Sequence, residues 1–104
     1  MGSEGQNSLA TFKASLSGSV PPEGHTGPLH ALWWVAKGAW DKAHVLVQED
    51  HSREAAWVHA HLHRVEGDLA NAAYWYGQAG KSEARGPLDA EWDGIAAALL
   101  DPAD

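Results

Sequence analysis

The segment REAAWVHAHLHRVEGDLANAAYWYGQAG, residues 53–80, decides the fold of this chain. Its apolar residues recur at helical spacing, and Gly67-Asp68 interrupts the pattern near its middle. The segment therefore predicts two helices joined by a tight turn, which together form a helical hairpin. The preceding segment PLHALWWVAKGAWDKAHVLVQED, residues 28–50, has the same organisation around Gly38 and predicts a second hairpin.

The two segments align at an offset of 29 residues, which indicates an internal repeat. Among the matched positions are Ala31 with Ala60, Gly38 with Gly67, and Ala43 with Ala72. The shared pattern G-x-[WL]-x-x-A-x-x-x-[VY] resembles the tetratricopeptide repeat over about residues 28–80. Residues 56–80 are also similar to small uncharacterised bacterial proteins of this architecture. The resemblance implies an all-α fold with antiparallel helical hairpins stacked in a right-handed superhelix.

The regions that flank the hairpins predict additional helices. Residues 1–7 are expected to form a disordered tail, and residues 8–27 a short helix followed by a Pro/Gly-rich strap. Residues 28–104 would form the tetratricopeptide-like helical domain, ending in a capping helix over 88–100. We expect this helix to cap one end of the stack and the N-terminal helix with its strap to cap the other. The total is about five to six helices and no sheet.

Composition excludes several classes of function. The chain has 104 residues, a net charge of −7 and no cysteine, so thiolate chemistry is excluded and a polyanionic partner such as nucleic acid is disfavoured. The longest apolar run, IAAALL at 95–100, is too short to cross a membrane. These features predict a cytoplasmic protein, and no motif of moderate specificity indicates an enzyme.

Three histidines lie at alternate positions in the segment WVHAHLHR, residues 57–64. On a helix, His59, His63 and Glu66 fall within an arc of about 60°, whereas His61 points to the opposite side. The line of His59, His63 and Glu66 has the chemistry to bind a divalent metal ion if another helix adds a ligand, such as His30 or His44. The alternative, which the sequence favours, is that these imidazoles pack between helices and bond to a carbonyl or to Glu66. No cofactor is therefore expected.

A second set of residues occupies the opposite face of the same helix. Trp57, His61 and Arg64 share this face, which commonly lines the concave groove in tetratricopeptide-like proteins. An exposed tryptophan beside an arginine and a histidine has the composition of a binding hot spot. The sequence therefore predicts an interaction module that binds an unidentified protein or peptide, with homodimerisation through uncapped hairpin faces as a further possibility. Alternatively, Trp57 packs beneath the strap, and His61 and Arg64 are solvated.

Overall fold

The computed structural model describes residues 8–100, so the predicted disordered tail 1–7 and the last four residues lie outside the described chain. Within this range the all-α fold is confirmed, because every regular element is helical. A short 3₁₀ turn over Ser15–Ser17 follows the first helix. The six α-helices are α1 Leu9–Ala14, α2 Gly27–Ala36, α3 Trp40–Val47, α4 Arg53–Glu66, α5 Leu69–Ala79 and α6 Leu88–Leu100.

The two predicted hairpins are present, with α2 packed on α3 and α4 packed on α5. Local capping explains where the second hairpin begins and turns. The Ser52 hydroxyl accepts from the Ala55 amide at the start of α4, and Asp68 caps α5 by accepting from the amide of Asn71. Between the helices, Gly67 has a φ of 87°, a left-handed conformation that glycine adopts without the steric penalty of a Cβ atom.

Helix α4 is the centre of the molecule. It contacts α2, α3, α5 and α6, and its residues from Ala55 to Leu62 are buried with the exception of the half-buried Trp57. Ala60 of α4 packs in a small cluster with Ala72 and Tyr76 of α5, as expected for small residues at a close helix crossing. A larger cluster joins α4 to α1, α2, α3 and α6 through Trp33, Leu62, Trp92 and other apolar side chains.

A helix is present over residues 88–100, where the capping helix was predicted, but the expectation that α1 and α6 cap opposite ends is wrong. The two helices contact each other, and α6 also packs on α2 and α4. The Phe12 and Trp92 rings stack with centroids 5.8 Å apart, and Lys13 forms an ion pair with Asp93. Aromatic burial between α1 and α6 therefore places both helices on the same side of the hairpins.

The strap after α1 is held by α2. Lys37 donates from Nζ to the carbonyls of Leu16 and Gly18, while His30 Nε2 lies 3.1 Å from the Pro22 carbonyl. Trp57 packs against both apolar clusters of the hairpins. The alternative in which Trp57 anchors the strap is not observed in residues 8–100.

Several apolar side chains on the outer sides of α3 and α5 are exposed, namely Val45, Leu46, Leu69 and Tyr74. Homodimerisation through such faces stays a prediction, as does the superhelical arrangement. Across residues 8–100, no helix combines the length and apolar character needed to span a membrane.

Candidate metal centre

Three histidines from the two hairpins converge at the contact between α3 and α4. Each of His44, His59 and His63 has a ring nitrogen that lies within 4.8 Å of a ring nitrogen of both others. The closest pair is His44 Nε2 and His59 Nε2, which are 3.0 Å apart. His59 and His63 are four residues apart on α4, so their rings stack along the helix with centroids 4.9 Å apart. The predicted histidine line therefore gains its third imidazole from α3.

His59 has an unusual environment for a buried polar side chain. It is 3% exposed, and its Nδ1 atom is fully enclosed without a hydrogen-bond partner. One face of its ring stacks on Trp75, with centroids 4.0 Å apart. Burial, followed by the neighbouring His44 and His63, lowers the pKa of His59 to about 4. The ring is therefore neutral near pH 7 and retains the lone pair that a metal ligand requires.

His63 is oriented by a carboxylate. Its Nδ1 donates to Glu66 Oε2 at 2.6 Å, which leaves the lone pair on Nε2. Histidines that bind metal usually donate their other nitrogen to a carboxylate or carbonyl in this way, which fixes the tautomer and the ring orientation. Glu66 was predicted as a ligand in line with the histidines. In the structure Glu66 accepts from Nδ1 of His63, and it also forms a separate group of possible ligand atoms with His63 and Asp68.

His44 is the most accessible of the three imidazoles, since it is half-buried on α3. Its ring stacks on Trp40, with centroids 4.8 Å apart, and Trp40 in turn donates from Nε1 to the Leu62 carbonyl of α4. Through Trp40, these contacts fix the orientation of the His44 ring relative to α4. Burial and the nearby His63 lower the pKa of His44, so its neutral form is also favoured. The other ligand suggested by the sequence, His30, is bonded to the strap and takes no part.

The donor spacing can be compared with the requirements of a metal ion. Imidazole nitrogens bound to zinc lie about 2.0–2.1 Å from the ion, so two nitrogens of a tetrahedral site are about 3.3 Å apart. The Nε2 atoms of His44 and His59 are 3.0 Å apart, which is close to this value. One ring nitrogen from each of the three histidines lies within a wider distance, 4.8 Å, of the others. The His44–His59 pair therefore has close to the spacing of two ligands of one ion.

The predicted groove residues are placed differently from expectation. His61 is 2% exposed and donates from Nδ1 to Glu91 Oε1 at 2.8 Å, while Arg64 donates to the same oxygen at 2.9 Å and to the Gly86 carbonyl. Trp57 is half-buried, and the Lys81 ammonium lies 4.2 Å from its ring centroid. The prediction of an exposed groove at His61 is therefore wrong, because α6 covers this face of α4.

Glu91 is a buried residue beside the predicted groove whose contacts sequence reasoning missed. Its side chain is 8% exposed and accepts hydrogen bonds from His61, Arg64 and the Tyr76 hydroxyl, so it joins α6 to α4 and α5. Burial would raise the pKa of Glu91, but these three hydrogen bonds outweigh it and hold the pKa below its usual value. For Tyr76, burial and the adjacent Glu91 raise the pKa strongly. In the sequence, Glu91 indicated only a favourable charge in the first turn of a helix.

No protein-family model matches the chain, and no curated protein or solved structure matches it with statistical significance. The tetratricopeptide-like repeat therefore stays a prediction from sequence, and function has to be argued from the site itself.

Proposed function

We propose that this protein binds a divalent transition-metal ion through His44, His59 and His63. The observation that carries the proposal is the environment of His59. This buried imidazole has no carbonyl, carboxylate or hydroxyl partner within the described residues, and its one polar contact is the Nε2 atom of another histidine. A purely structural buried histidine is expected to satisfy its nitrogens with such partners. A metal ion bound between the Nε2 atoms of His44 and His59 would give the buried His59 ring a stronger partner than a second imidazole.

The type of ion follows from the donor atoms. Three imidazoles without a thiolate suit ions of intermediate softness, of which zinc is the reference case, and disfavour magnesium and calcium, which prefer oxygen ligands. Three protein ligands leave a fourth tetrahedral position for water or another small ligand, and His44 is accessible enough to make that position open. The carboxylate of Glu66 would act on the ion indirectly, by keeping the Nε2 lone pair of His63 available.

Peptide binding by Trp57, His61 and Arg64 has less support. The hydrogen bonds of His61 and Arg64 are directed to Glu91 and Gly86, so these side chains offer little to a peptide. Trp57 keeps partial exposure, but a single half-buried tryptophan does not define a groove.

The proposal is tested by titrating Zn²⁺ into chelator-treated protein by calorimetry, followed by Co²⁺ titration with visible spectroscopy to report the coordination number. We expect one equivalent of Zn²⁺ to bind and Co²⁺ to give the intense absorption of a four-coordinate site. The variant His44→Ala should abolish stoichiometric binding, because it leaves only two imidazoles. It is also the least disruptive of the ligand variants, since His44 is half-buried and alanine favours helix.

The matched control is His51→Ala. His51 is exposed just before α4 and lies outside the cluster, so its loss should leave binding unchanged. Wild-type protein that takes up no stoichiometric Zn²⁺ would refute the proposal. Equal binding by wild type, His44→Ala and His63→Ala would refute the ligand assignment.

A further inference from the structure

A second candidate site lies where the start of α4 meets the ends of α5 and α6. These elements border an open cleft of about 380 Å³, which is within the range for small-molecule sites, about 300–1,000 Å³. None of the cluster histidines lines it. The side chains that matter for binding are Arg53, Glu54 and Trp57 of α4, Lys81 after α5, and Ala98 and Leu99 of α6. The wall of the cleft therefore combines an aromatic ring and apolar side chains with three charged groups.

Two of the charged groups are cations without a carboxylate partner. The Arg53 side chain makes no ion pair and no hydrogen bond with residues 8–100. The Lys81 ammonium has a ring contact instead of an ion pair in this part of the chain, since it lies 4.2 Å from the ring centroid of Trp57. Elsewhere in this chain of 14 acidic and seven basic residues, Lys13 and Arg64 do have carboxylate partners. The cleft thus holds two positive charges that are available to a ligand.

The third charged group, Glu54, limits the charge that a ligand can carry. With Arg53 and Lys81 positive and Glu54 negative, the side chains that line the cleft have a net charge of +1. More distant charges are screened at physiological ionic strength, where the Debye length is about 8 Å, so these three groups decide the local preference. A single negative charge on the ligand balances the cleft, whereas the dianion of a phosphate ester leaves one charge unbalanced.

We propose that this cleft binds a small carboxylic acid anion, with its carboxylate between Arg53 and Lys81 and its apolar body against Trp57 and Leu99. The guanidinium group of an arginine presents two parallel N–H donors that match a carboxylate, and a lysine adds a point charge. Trp57 and Leu99 are half-buried, so part of their apolar surface is accessible to a ligand. This site is separate from the proposed metal site, and either one can exist without the other.

The test compares four ligands that share a phenyl ring and differ in charge: phenylacetate, phenylacetamide, 2-phenylethylamine and phenyl phosphate. Each is titrated at about pH 8 into ¹⁵N-labelled protein treated with a chelator, so that no metal ion binds the carboxylate. The indole N–H signal of Trp57 reports on the cleft. The signal of Trp40, which lies at the histidine cluster, is the internal reference.

The four ligands should be ranked by their charge. We expect phenylacetate to saturate with a dissociation constant of about 1 mM or lower, and to bind more weakly as the salt concentration rises. Phenylacetamide, its neutral isostere, should bind about tenfold more weakly, and 2-phenylethylamine should not saturate. Phenyl phosphate, a dianion at this pH, should bind no more tightly than phenylacetate.

Four variants assign the roles of the lining residues. Arg53→Gln and Lys81→Gln should each weaken phenylacetate about tenfold and leave phenylacetamide nearly unchanged, because only the acid carries a charge. Glu54→Gln should tighten phenylacetate about threefold, because it removes the carboxylate that lines the cleft. Ala98→Phe should block all the ligands, since this exposed position on α6 lines the cleft and a larger side chain there does not enter the core.

The matched control is Arg85→Gln, which removes an exposed cation that does not line the cleft. It should bind phenylacetate as wild type does, and a loss as large as that in Arg53→Gln would overturn the proposal. The proposal is also overturned if phenylacetate fails to saturate, if the amide or the amine binds as tightly, or if phenyl phosphate binds more tightly. Wild-type affinity for phenylacetate in Arg53→Gln or in Ala98→Phe would likewise overturn it.

Discussion

His44 and His59 are 15 positions apart in the sequence, on helices of different hairpins, and their Nε2 atoms lie 3.0 Å apart. In the absence of a metal, one of the two nitrogens carries a proton and donates to the other. A metal ion would replace this proton and bind both nitrogens at once. Metal binding would therefore link α3 directly to α4 at the junction of the two hairpins.

Zn²⁺ should stabilise the protein, because it is expected to bind the folded chain far better than the unfolded one. At a free concentration of 100 times the dissociation constant, the free energy of unfolding rises by about 2.7 kcal/mol. For a domain of this size, the increase corresponds to a melting temperature higher by about 10 °C or more. Thermal melts with and without Zn²⁺ measure the shift, with Mg²⁺ at the same concentration as the control. A melting temperature that is insensitive to Zn²⁺ would contradict the prediction.

Glu66→Gln should lower the affinity for Zn²⁺ by about 10- to 100-fold while one equivalent still binds. The physical reason is that a neutral amide holds the Nδ1–H of His63 less strongly than the carboxylate does. Calorimetry of the variant beside wild type gives the ratio of affinities. Glu54→Gln, at an exposed position in the first turn of the same helix, is the matched control. A complete loss of the bound equivalent would instead make Glu66 a ligand.

Local sequence signals were sufficient to predict the helices and the two hairpins. Periodic apolar residues, the cap at Ser52 and the glycines at 67 and 80 act within a few residues, so their effects can be read without knowing the tertiary structure. Helical phase also placed His59 and His63 on one face. The choice between His30 and His44 as the third imidazole could not be made, because it depends on how α3 packs against α4.

The error at His61 has a related cause. Helical phase separated His61 correctly from His59 and His63, but assigning its face to solvent assumed that α4 has one open side. In the structure α4 is enclosed by four helices, and the partner of His61 is Glu91, 30 positions further along the chain. No local rule connects residues at that separation. A buried carboxylate on an amphipathic helix has the same sequence signature as a solvated one.

Ala72→Leu should destabilise the fold by about 1–3 kcal/mol through overpacking. Ala72 is 2% exposed and packs with Ala60 and Tyr76, so a larger side chain has no space at this crossing of α4 and α5. Chemical denaturation measures the change in the free energy of unfolding. Ala70→Leu, an exposed position on the same helix, controls for helix propensity and should be close to neutral. Equal stability of the two variants would show that the crossing at Ala72 is looser than the structure indicates.

Glu91→Gln should make the free energy of unfolding less dependent on pH in the acid range. The groups that face Glu91 are His61 and Arg64 on α4 and Tyr76 on α5, and their hydrogen bonds hold the pKa of the folded carboxyl below that of the unfolded chain. A lowered pKa gives stability that is fully present above the unfolded pKa, about 4.3, and is lost as pH falls through the folded pKa.

The free energy of unfolding of wild type should exceed that of the variant by about 2 kcal/mol near pH 5, and the difference should shrink toward about pH 3. Other groups that titrate in this range, His59 among them, are present in both proteins and cancel in the difference, so the comparison reads the carboxyl group. Denaturant unfolding at each pH provides the measurement, and Glu83→Gln, which is exposed, should follow wild type throughout. The prediction is contradicted if the difference in the free energy of unfolding between wild type and Glu91→Gln stays constant or grows as pH falls. Glu91 would then not be the group whose protonation weakens the packing of α6 on α4 and α5.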